Sequence, residues 1–228
     1  MNDLAQKLIE ELQCETVFTI PVLGGIPVSE AVVVTWIIMA VLVIAAFILT
    51  RNLKVDHISK RQAVAESIVT GLMNMVQGMV GEKGRKYVPY LTTVMLYIGV
   101  SNIIGLFGFK SPTKDLRVTV ALALMSIILI EAAGIYHKGV KRWLHGFVEP
   151  VAIVTPINIL EVVTKPLSLC MRLFGNVLGS YVVMKLLEFI CPAIIPIPFS
   201  LYFDFFDGFI QAYVFVFLTS LFIKEAIE

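Results

Sequence analysis

Pro166-Leu167-Ser168-Leu169-Cys170-Met171-Arg172-Leu173-Phe174-Gly175-Asn176 places a single arginine inside an apolar run that continues to Ile190. A charged side chain at the centre of a bilayer costs about 2.5–3.5 kcal/mol on insertion scales. Leucine or alanine would cross the membrane at lower cost, so an ionisable residue at this depth indicates a functional site. Arg172 is therefore the first candidate site residue, and the other segments are interpreted as its surroundings.

The composition is that of a polytopic membrane protein. Of 228 residues, 58% are hydrophobic and 15% are charged, whereas soluble domains have about 45–50% apolar and about 25% charged residues. The length allows about five helices of ~20 residues each. A formal net charge of +1 gives no reason to expect a nucleic-acid partner. Cys14, Cys170 and Cys191 have no metal-binding or redox spacing, so we expect no metal site and no cofactor.

The apolar segments predict an all-α fold with five membrane spans, at about residues 29–50, 88–109, 116–136, 155–190 and 199–223. Residues 1–27 are predicted to form an extracytoplasmic segment and residues 28–228 a single membrane domain. The segment 59–82 is too polar to span. Its apolar residues recur at three- and four-residue spacing, at Val64, Ile68, Leu72, Met75 and Met79. This pattern indicates an amphipathic helix on the cytoplasmic surface, with its apolar face against either lipid or protein.

Charged residues on either side of the first span predict the orientation. The N-terminal segment is acidic, with Asp3, Glu10, Glu11 and Glu15 against Lys7 alone. The region after the span is basic, with Arg51, Lys54, Lys60, Arg61, Lys83 and Arg85. Because an excess of lysine and arginine marks the cytoplasmic side, the N-terminus is predicted to lie outside. Five crossings then place the C-terminus in the cytoplasm.

The fourth span is longer than a bilayer requires. Residues 155–190 would form a helix of ~54 Å, whereas a hydrocarbon core is ~30 Å thick. The segment must therefore tilt strongly, kink or begin below the membrane. Pro156 and Pro166 are natural start or kink points. Together with the last span it predicts a long helical hairpin.

Ser168, Arg172 and Asn176 are four residues apart and would form a polar stripe on one helix face. Gly175 and Gly179 would let another backbone approach that face closely. A guanidinium stays protonated at any relevant pH, so it would favour ion release from a carboxylate brought beside it and would repel a free cation. These properties suit a gate between two half-pathways. The alternative is a static internal salt bridge, whose candidate partners are Glu161, Asp204, Asp207 and Glu131.

The last span has three polar residues on one predicted face, Asp204, Asp207 and Gln211. They could carry ions along a hydrated path, or the carboxylates could favour a helix N-terminus and contact outside water. Lys185 and Glu188 are predicted to form an i,i+3 ion pair. Glu131 lies inside the third span, where it faces either a protein interior or water at the cytoplasmic end.

These motifs resemble subunit a of bacterial F-type ATP synthases, the membrane stator beside the rotating c-ring. The resemblance covers about residues 85–225 and rests on three segments: residues 165–176, Pro112-Thr113-Lys114-Asp115-Leu116-Arg117-Val118-Thr119, and Gln211-Ala212-Tyr213-Val214-Phe215. It implies a place in the bacterial cell membrane and no catalytic site or cofactor in this chain. The implied partners are the c-subunit ring, the b-subunit peripheral stalk, the remainder of the ATP synthase complex and the lipid bilayer.

The resemblance also implies roles for individual residues. Arg172 matches the essential arginine that faces the ion-carrying carboxylate of each passing c subunit, between two offset half-channels for ions, which we expect to be protons. Asn176 and Gln211 match polar residues near the ion path, and Asp204 falls where relatives carry a histidine or an acid. The full set of candidates for ion translocation is Arg172, Asn176, Gln211, Asp204, Asp207, Ser168 and Glu161.

One position departs from the family pattern. Many relatives have glutamate or histidine nine residues after the arginine, whereas this chain has Tyr181. A phenol does not exchange protons readily near neutral pH. We hypothesise that Asp207, one turn from Asp204, compensates in the outer half-channel, and that Glu161 serves the cytoplasmic exit.

Two other functions compete with this interpretation. A stand-alone secondary transporter would use Arg172 to bind an anionic substrate, but such folds often have inverted repeats and the sequence shows no internal repeat. A non-conducting membrane scaffold would tolerate Arg172→Ala without loss of transport. The sequence contains no phosphate-binding glycine loop, so nucleotide chemistry would belong to partner subunits.

Overall fold

The structure, a computed structural model, describes residues 16–20, 26–51, 59–107, 111–147, 152–190 and 196–227. Within these residues the chain is a bundle of helices, five of which are long and apolar enough to cross a membrane. The predicted all-α, polytopic fold is thus confirmed. The acidic residues 1–15, with Cys14, and residues 191–195, with Cys191, lie outside the described residues.

The helices, in chain order, are α1 (Glu30–Thr50), α2 (Lys60–Val80), α3 (Val88–Ile103), α4 (Leu116–Lys138), α5 (Val140–Gly146), α6 (Thr155–Ile190), α7 (Pro196–Ser200) and α8 (Gly208–Ile227). A π-helical run, Leu201–Asp207, joins α7 to α8. Short 3₁₀ segments occur at Glu82–Tyr87, Ile104–Phe107, Pro112–Lys114 and Ala152–Val154.

Two short strands precede α1, and the sequence analysis did not predict them. β1 (Thr16–Ile20) and β2 (Ile26–Ser29) pair antiparallel. The β-branched and aromatic residues of β1 favour an extended backbone, which explains the hairpin locally. Ser29, at the end of β2, donates a hydrogen bond from Oγ to Asp115 Oδ2 at 2.9 Å. The start of α1 is therefore joined to the start of α4.

The core lies among α3, α4 and α8, with contributions from α2 and α6. Helix α6 packs mainly on α4 rather than on α8. It contributes Leu169, Cys170 and Leu173 to the core, whereas Leu167 and Met171 on its other side are exposed. One face of α6 is thus left open.

The buried residues of α1, Ala31, Val34 and Ile38, all lie in its first three turns. Many of its other apolar side chains are exposed, including Trp36 and Phe47. An exposed apolar surface of this extent is typical of a helix that faces lipid or a membrane partner.

Helices α2 and α3 differ in length from the predicted segments. Helix α2 is among the five helices with spanning length and composition. Helix α3 has 16 residues, but the 3₁₀ segment that follows extends it to ~32 Å, about the thickness of a hydrocarbon core.

In α2, Val76 and Val80 are buried, while Val64 and Ile68 are 59% and 57% exposed. Of these four residues on the apolar face of α2, the two in its C-terminal half are buried against the described part of the protein and the two in its N-terminal half are not.

The long fourth segment forms one helix with the predicted bounds. Helix α6 has 36 residues and continues through Pro166. The last segment, predicted as one helix over 199–223, is instead divided into α7, the π-helical run and α8. A π-helix closes i→i+5 turns and often marks a functional site. Here it contains both Asp204 and Asp207.

Candidate functional site

The polar stripe predicted on α6 lies on the open face of that helix. Ser168, Arg172 and Asn176 are all exposed. A Cβ added at Gly175 or Gly179 would meet nothing within 4 Å. Within the described part of the chain, no other element covers the stripe, and the exposed apolar side chains of Leu167 and Met171 lie beside it.

Arg172 has no hydrogen bond or ion pair with any residue that the structure describes. The four carboxylates considered as partners, Glu161, Asp204, Asp207 and Glu131, contact other groups. An internal salt bridge of Arg172 is therefore not formed in the described part of the chain. A guanidinium has five donors and no acceptor. On an apolar helix face these donors favour an anionic partner.

A cavity of about 460 Å³, here called the first cavity, lies between the Pro112–Lys114 segment, the C-terminal half of α6 and the π-helical run. Its charged and phenolic lining residues are Lys114, Tyr181, Lys185, Glu188, Asp204 and Asp207. The structure therefore brings Asp204 and Asp207 together in one cavity. Gln211 is buried behind them in α8.

Neutral donors hold the two aspartates. Ser200 Oγ donates to Asp204 Oδ2 at 2.9 Å, and Gln211 Nε2 donates to Asp207 Oδ1 at 3.4 Å. Lys185 Nζ lies 3.3 Å from Glu188 Oε2, which confirms the predicted i,i+3 ion pair. The aspartates thus face the cavity without ion-pair partners among the described residues.

Tyr181 forms a wall of the first cavity and contacts a lysine that sequence reasoning did not single out. Lys114 Nζ lies 3.9 Å from the centroid of the Tyr181 ring, and Lys185 Nζ lies 5.8 Å from it. Both distances are within the range of a cation–π interaction. The 3₁₀ segment that carries Lys114 is thereby joined to α6.

Buried hydrogen bonds fix the position of that 3₁₀ segment. Thr113 Oγ1 donates to Asn102 Oδ1 at 2.8 Å, and Asn102 Nδ2 donates to the Gly208 carbonyl oxygen at 3.0 Å. Asp115 caps α4 by accepting a bond from the Arg117 backbone N at 2.9 Å. The Pro112–Thr119 motif thus joins α3, α4 and α8 beside the cavity, a structural role that explains its sequence.

A second cavity of about 300 Å³ lies between the C-terminal ends of α4 and α8, helix α5 and the N-terminal half of α6. Lys165 Nζ lies 3.2 Å from Glu161 Oε1 and 3.3 Å from Glu225 Oε1. Trp143 Nε1 donates to Glu131 Oε2 at 2.9 Å. Glu131 therefore lines a cavity at the end of α4 and does not face Arg172.

Lys165 and Glu225 are site residues that sequence reasoning missed. The i,i+4 spacing of Glu161 and Lys165 could have indicated their pair. No local signal indicated Glu225, which lies on another helix.

The two cavities contact opposite halves of α6, at residues 177–188 and 158–165. Arg172 lies between them and lines neither. It is about 7.5 Å along the helix from Val177 and about 10.5 Å from Lys165, at 1.5 Å per residue. The arrangement is therefore two polar cavities, separated along one helix by an exposed guanidinium.

The carboxyl groups that line the two cavities can exchange protons with water and attract cations. No set of three or more His, Cys, Asp or Glu side chains among the described residues could hold a metal ion. The cavities are lined by carboxylates, hydroxyls and amides together with lysine and arginine side chains, and such ionisable and polar groups are typical of a path for protons or hydrated ions.

The family model of the ATP synthase A chain matches residues 32–224. The chain is 36% identical over 208 residues to the ATP synthase subunit a of Moorella thermoacetica, an alignment that covers 90% of this chain and 94% of the relative. It is 34% identical to the "ATP synthase subunit a, sodium ion specific" of Propionigenium modestum, with 89% and 75% covered. It is 36% identical to the "ATP synthase subunit a 1" of Pelobacter propionicus, with 88% of each chain covered.

Proposed function

The chain belongs to the ATP synthase A chain family and is a multi-pass membrane subunit of an ATP synthase complex, and from this premise we propose that Arg172 separates two ion half-channels beside a rotating c-subunit ring. One observation carries the proposal: the guanidinium of Arg172 is unpaired within the described chain, on an open helix face, between two polar cavities. Ion flow through the half-channels turns the rotor and so drives ATP synthesis.

The first cavity serves as the outer half-channel. Asp204 and Asp207 face it and are held by neutral hydrogen bonds from Ser200 and Gln211, so their carboxylates are available to pass ions inward. The expected ion is the proton. An ion that reaches the open face of α6 binds there to a c-subunit carboxylate.

The second cavity serves as the cytoplasmic half-channel, with Glu161 near its exit and Lys165 between Glu161 and Glu225. The cavities contact α6 about 18 Å apart along its axis, from Lys165 to Val177. Because of this offset an ion cannot pass directly between them and must travel on the ring.

Arg172 prevents a loaded c-subunit carboxylate from passing directly between the two half-channels. Its positive charge does not depend on pH, and it attracts a c-subunit carboxylate most strongly when that carboxylate is ionised. A loaded carboxylate that approaches from the exit side therefore releases its ion before it passes the arginine. Ser168 and Asn176, one turn away on either side, offer hydrogen bonds along the same face.

The proposed setting is a bacterial cell membrane, with the N-terminus outside and the C-terminus in the cytoplasm. Lys138, Lys141 and Lys224 lie near the end of the bundle that holds the second cavity, and basic residues favour the cytoplasmic side. The proposed neighbours within the complex are the c-ring, against the open face of α6, and the b-subunit peripheral stalk.

The test is Arg172→Ala in the whole complex, reconstituted into vesicles. ATP-driven ion pumping should fall to background, because nothing would then force the c-subunit carboxylates to release their ions. Arg117→Ala is the matched control, since Arg117 is also exposed but lies at the start of α4. Normal pumping by the Arg172→Ala complex would show that the proposal is wrong.

A further inference from the structure

Glu131 is an ionisable residue of a spanning helix to which the proposed function gives no role. It lies in α4, which continues beyond it to Lys138. A carboxylate inside such a helix is costly in lipid, and it is kept mainly where it pairs with another group or serves an ion path. The surroundings of Glu131 decide between these two roles.

Three carboxylates of the described residues line the second cavity, those of Glu131, Glu161 and Glu225. Glu161 and Glu225 share the ammonium group of Lys165, whose Nζ lies 3.2 Å and 3.3 Å from their Oε1 atoms. Charge-assisted hydrogen bonds of this kind are stronger than neutral ones, so an incoming proton competes with the ammonium for these oxygens.

The partner of Glu131 is neutral, since Trp143 Nε1 donates to Oε2 at 2.9 Å. Lys138 and Arg142 line the same cavity, but in the part of the chain that the structure describes neither forms an ion pair with Glu131. Oε1 accepts no hydrogen bond there and is not one of the buried side-chain atoms without a partner, so solvent reaches it. One carboxylate oxygen is therefore held, and the other is open to the cavity.

The indole of Trp143 is itself held in place. Its ring lies edge to face against Phe147, with the ring centroids 4.9 Å apart. On the α4 side, a Cβ at Gly134 would lie 3.3 Å from Trp143 Cδ1, so glycine lets the indole approach the helix closely. Glu131 and Gly134 are three residues apart and share one face of α4. Trp143 thus fixes the Glu131 carboxylate from the neighbouring helix α5.

We propose that Glu131 is a proton-exchanging carboxylate of the second cavity and that Trp143 is the residue that positions it. The inference rests on the proposed role of this cavity as the cytoplasmic half-channel. During ATP-driven pumping, Glu131 takes a proton from water at the cytoplasmic end of the cavity and returns it to water that leads to the open face of α6. During ATP synthesis, the same carboxylate takes the proton that the ring releases and gives it to cytoplasmic water.

The experiment measures ATP-driven proton uptake by vesicles in which the cytoplasmic side of the whole complex faces the medium, normalised to the amount of assembled complex. Glu131→Gln keeps an acceptor for Trp143 but cannot carry a proton, so uptake should fall about tenfold. Glu131→Asp keeps a carboxylate and should retain about half of the wild-type uptake.

Glu66→Gln is the matched control. Glu66 also accepts a hydrogen bond from a neutral donor, Gln62 Nε2 at 2.7 Å, but it lines neither the first nor the second cavity. Its replacement removes the same charge and should leave proton uptake unchanged.

Formate in the medium distinguishes proton exchange from a structural role. Glu131→Ala leaves room for this small acid, which can then carry protons in place of the missing side chain. Formate should raise the uptake of the Glu131→Ala complex at least about threefold. It should not change the uptake of the wild type or of Arg172→Ala, and a variant that is only poorly packed would not respond to it.

Trp143→Phe tests the positioning role, because it removes the indole N–H and keeps a ring against Phe147. Uptake should fall about fivefold, which corresponds to about 1 kcal/mol, the size of one hydrogen bond. In the Glu131→Gln background the same change should cause no further loss, because Trp143 acts through the Glu131 carboxylate.

The inference is overturned if Glu131→Gln stays within about twofold of the wild type, if formate does not restore Glu131→Ala, or if Trp143→Phe lowers uptake equally in both backgrounds. If Glu131→Gln fails to assemble, Glu131→Ala with and without formate decides. Arg172→Ala in the same vesicles separates this inference from the proposed function. If Arg172→Ala keeps pumping, the half-channel proposal itself is wrong. If Arg172→Ala stops pumping while Glu131→Gln pumps normally, only the role of Glu131 is wrong.

Discussion

At the scale of single residues, Gly208 is a point of close approach between α8 and α3. A Cβ at this position would lie 2.6 Å from Asn102 Cβ, and the Gly208 carbonyl accepts the Asn102 hydrogen bond at 3.0 Å. Neither helix can move away without breaking that bond. Gly208→Ala should therefore lower stability by about 1–3 kcal/mol, measured as a lower thermal unfolding midpoint of the solubilised complex.

Gly99→Ala is the control for this prediction, because Gly99 lies on α3 and an added Cβ would meet nothing within 4 Å. Alanine favours a helix over glycine by up to about 1 kcal/mol, so the unfolding midpoint should stay the same or rise. An equal loss in both variants would contradict the close-contact explanation.

Asp207 is the residue that we expect to compensate for the absence of an acid at position 181. Asp207→Asn keeps the shape of the side chain and its contact with Gln211 but removes the exchangeable carboxylate. ATP-driven pumping should therefore fall about tenfold. Removal of a proton carrier that had no substitute would lower pumping further, whereas here Asp204 remains. Asp207→Glu keeps a carboxylate and should pump at more than half the wild-type rate. Normal pumping by the asparagine variant would contradict the hypothesis.

At the scale of secondary-structure elements, α4 depends on its cap. Asp115 is buried and accepts bonds from the Arg117 backbone N and from Ser29 Oγ, both at 2.9 Å. Asp115→Ala should cost about 1–2 kcal/mol in stability because α4 loses its cap and β2 loses its contact. Asp115→Ser, which can still cap, should lose about half as much. Equal thermal unfolding midpoints for the two variants would show that the cap contributes nothing.

Helices long enough to span a membrane could be predicted, because the apolar pattern that indicates each of them lies within its own segment. The predicted bounds of α6 match the observed ones, and those of α1 differ by one residue. The π-helical run could not be predicted in this way. Its aromatic residues fit either helix type, and the 3₁₀ segment Ile104–Phe107, far away in sequence, packs against it: a Cβ at Gly105 would lie 3.1 Å from Asp204 Oδ1.

The same limit applies to the site. Helical spacing was sufficient to place Ser168, Arg172 and Asn176 on one face of α6, and it predicted one shared face for Asp204, Asp207 and Gln211. It could not predict that Lys114 would meet Tyr181 or that Lys165 would meet Glu225, because each pair joins separate elements. Such contacts follow from how helices pack, and periodicity within one helix contains no information about its neighbour.

At the scale of the whole molecule, the topology depends on whether α2 or α3 crosses the membrane. By length and composition α2 qualifies as a spanning helix. It carries Glu66 and Asn74, however, and both are exposed, so a crossing would place them in lipid at a cost of several kcal/mol. Helix α3 with its 3₁₀ extension reaches ~32 Å without a charged residue. We therefore expect α3 to cross and α2 to lie on the cytoplasmic surface.

This topology predicts that both ends of α2 lie on one side of the membrane. Lys60 and Lys83 flank α2, and both are exposed. Each is replaced by cysteine in a complex without its native cysteines. A membrane-impermeant maleimide should then label Lys60→Cys and Lys83→Cys only from the cytoplasm. Leu201→Cys, 59% exposed near the first cavity, should be labelled only from outside. Labelling of the α2 ends from opposite sides would mean that α2 crosses. Basic residues at both ends favour the first outcome, since a crossing would force one cluster out of the cytoplasm against the positive-inside tendency.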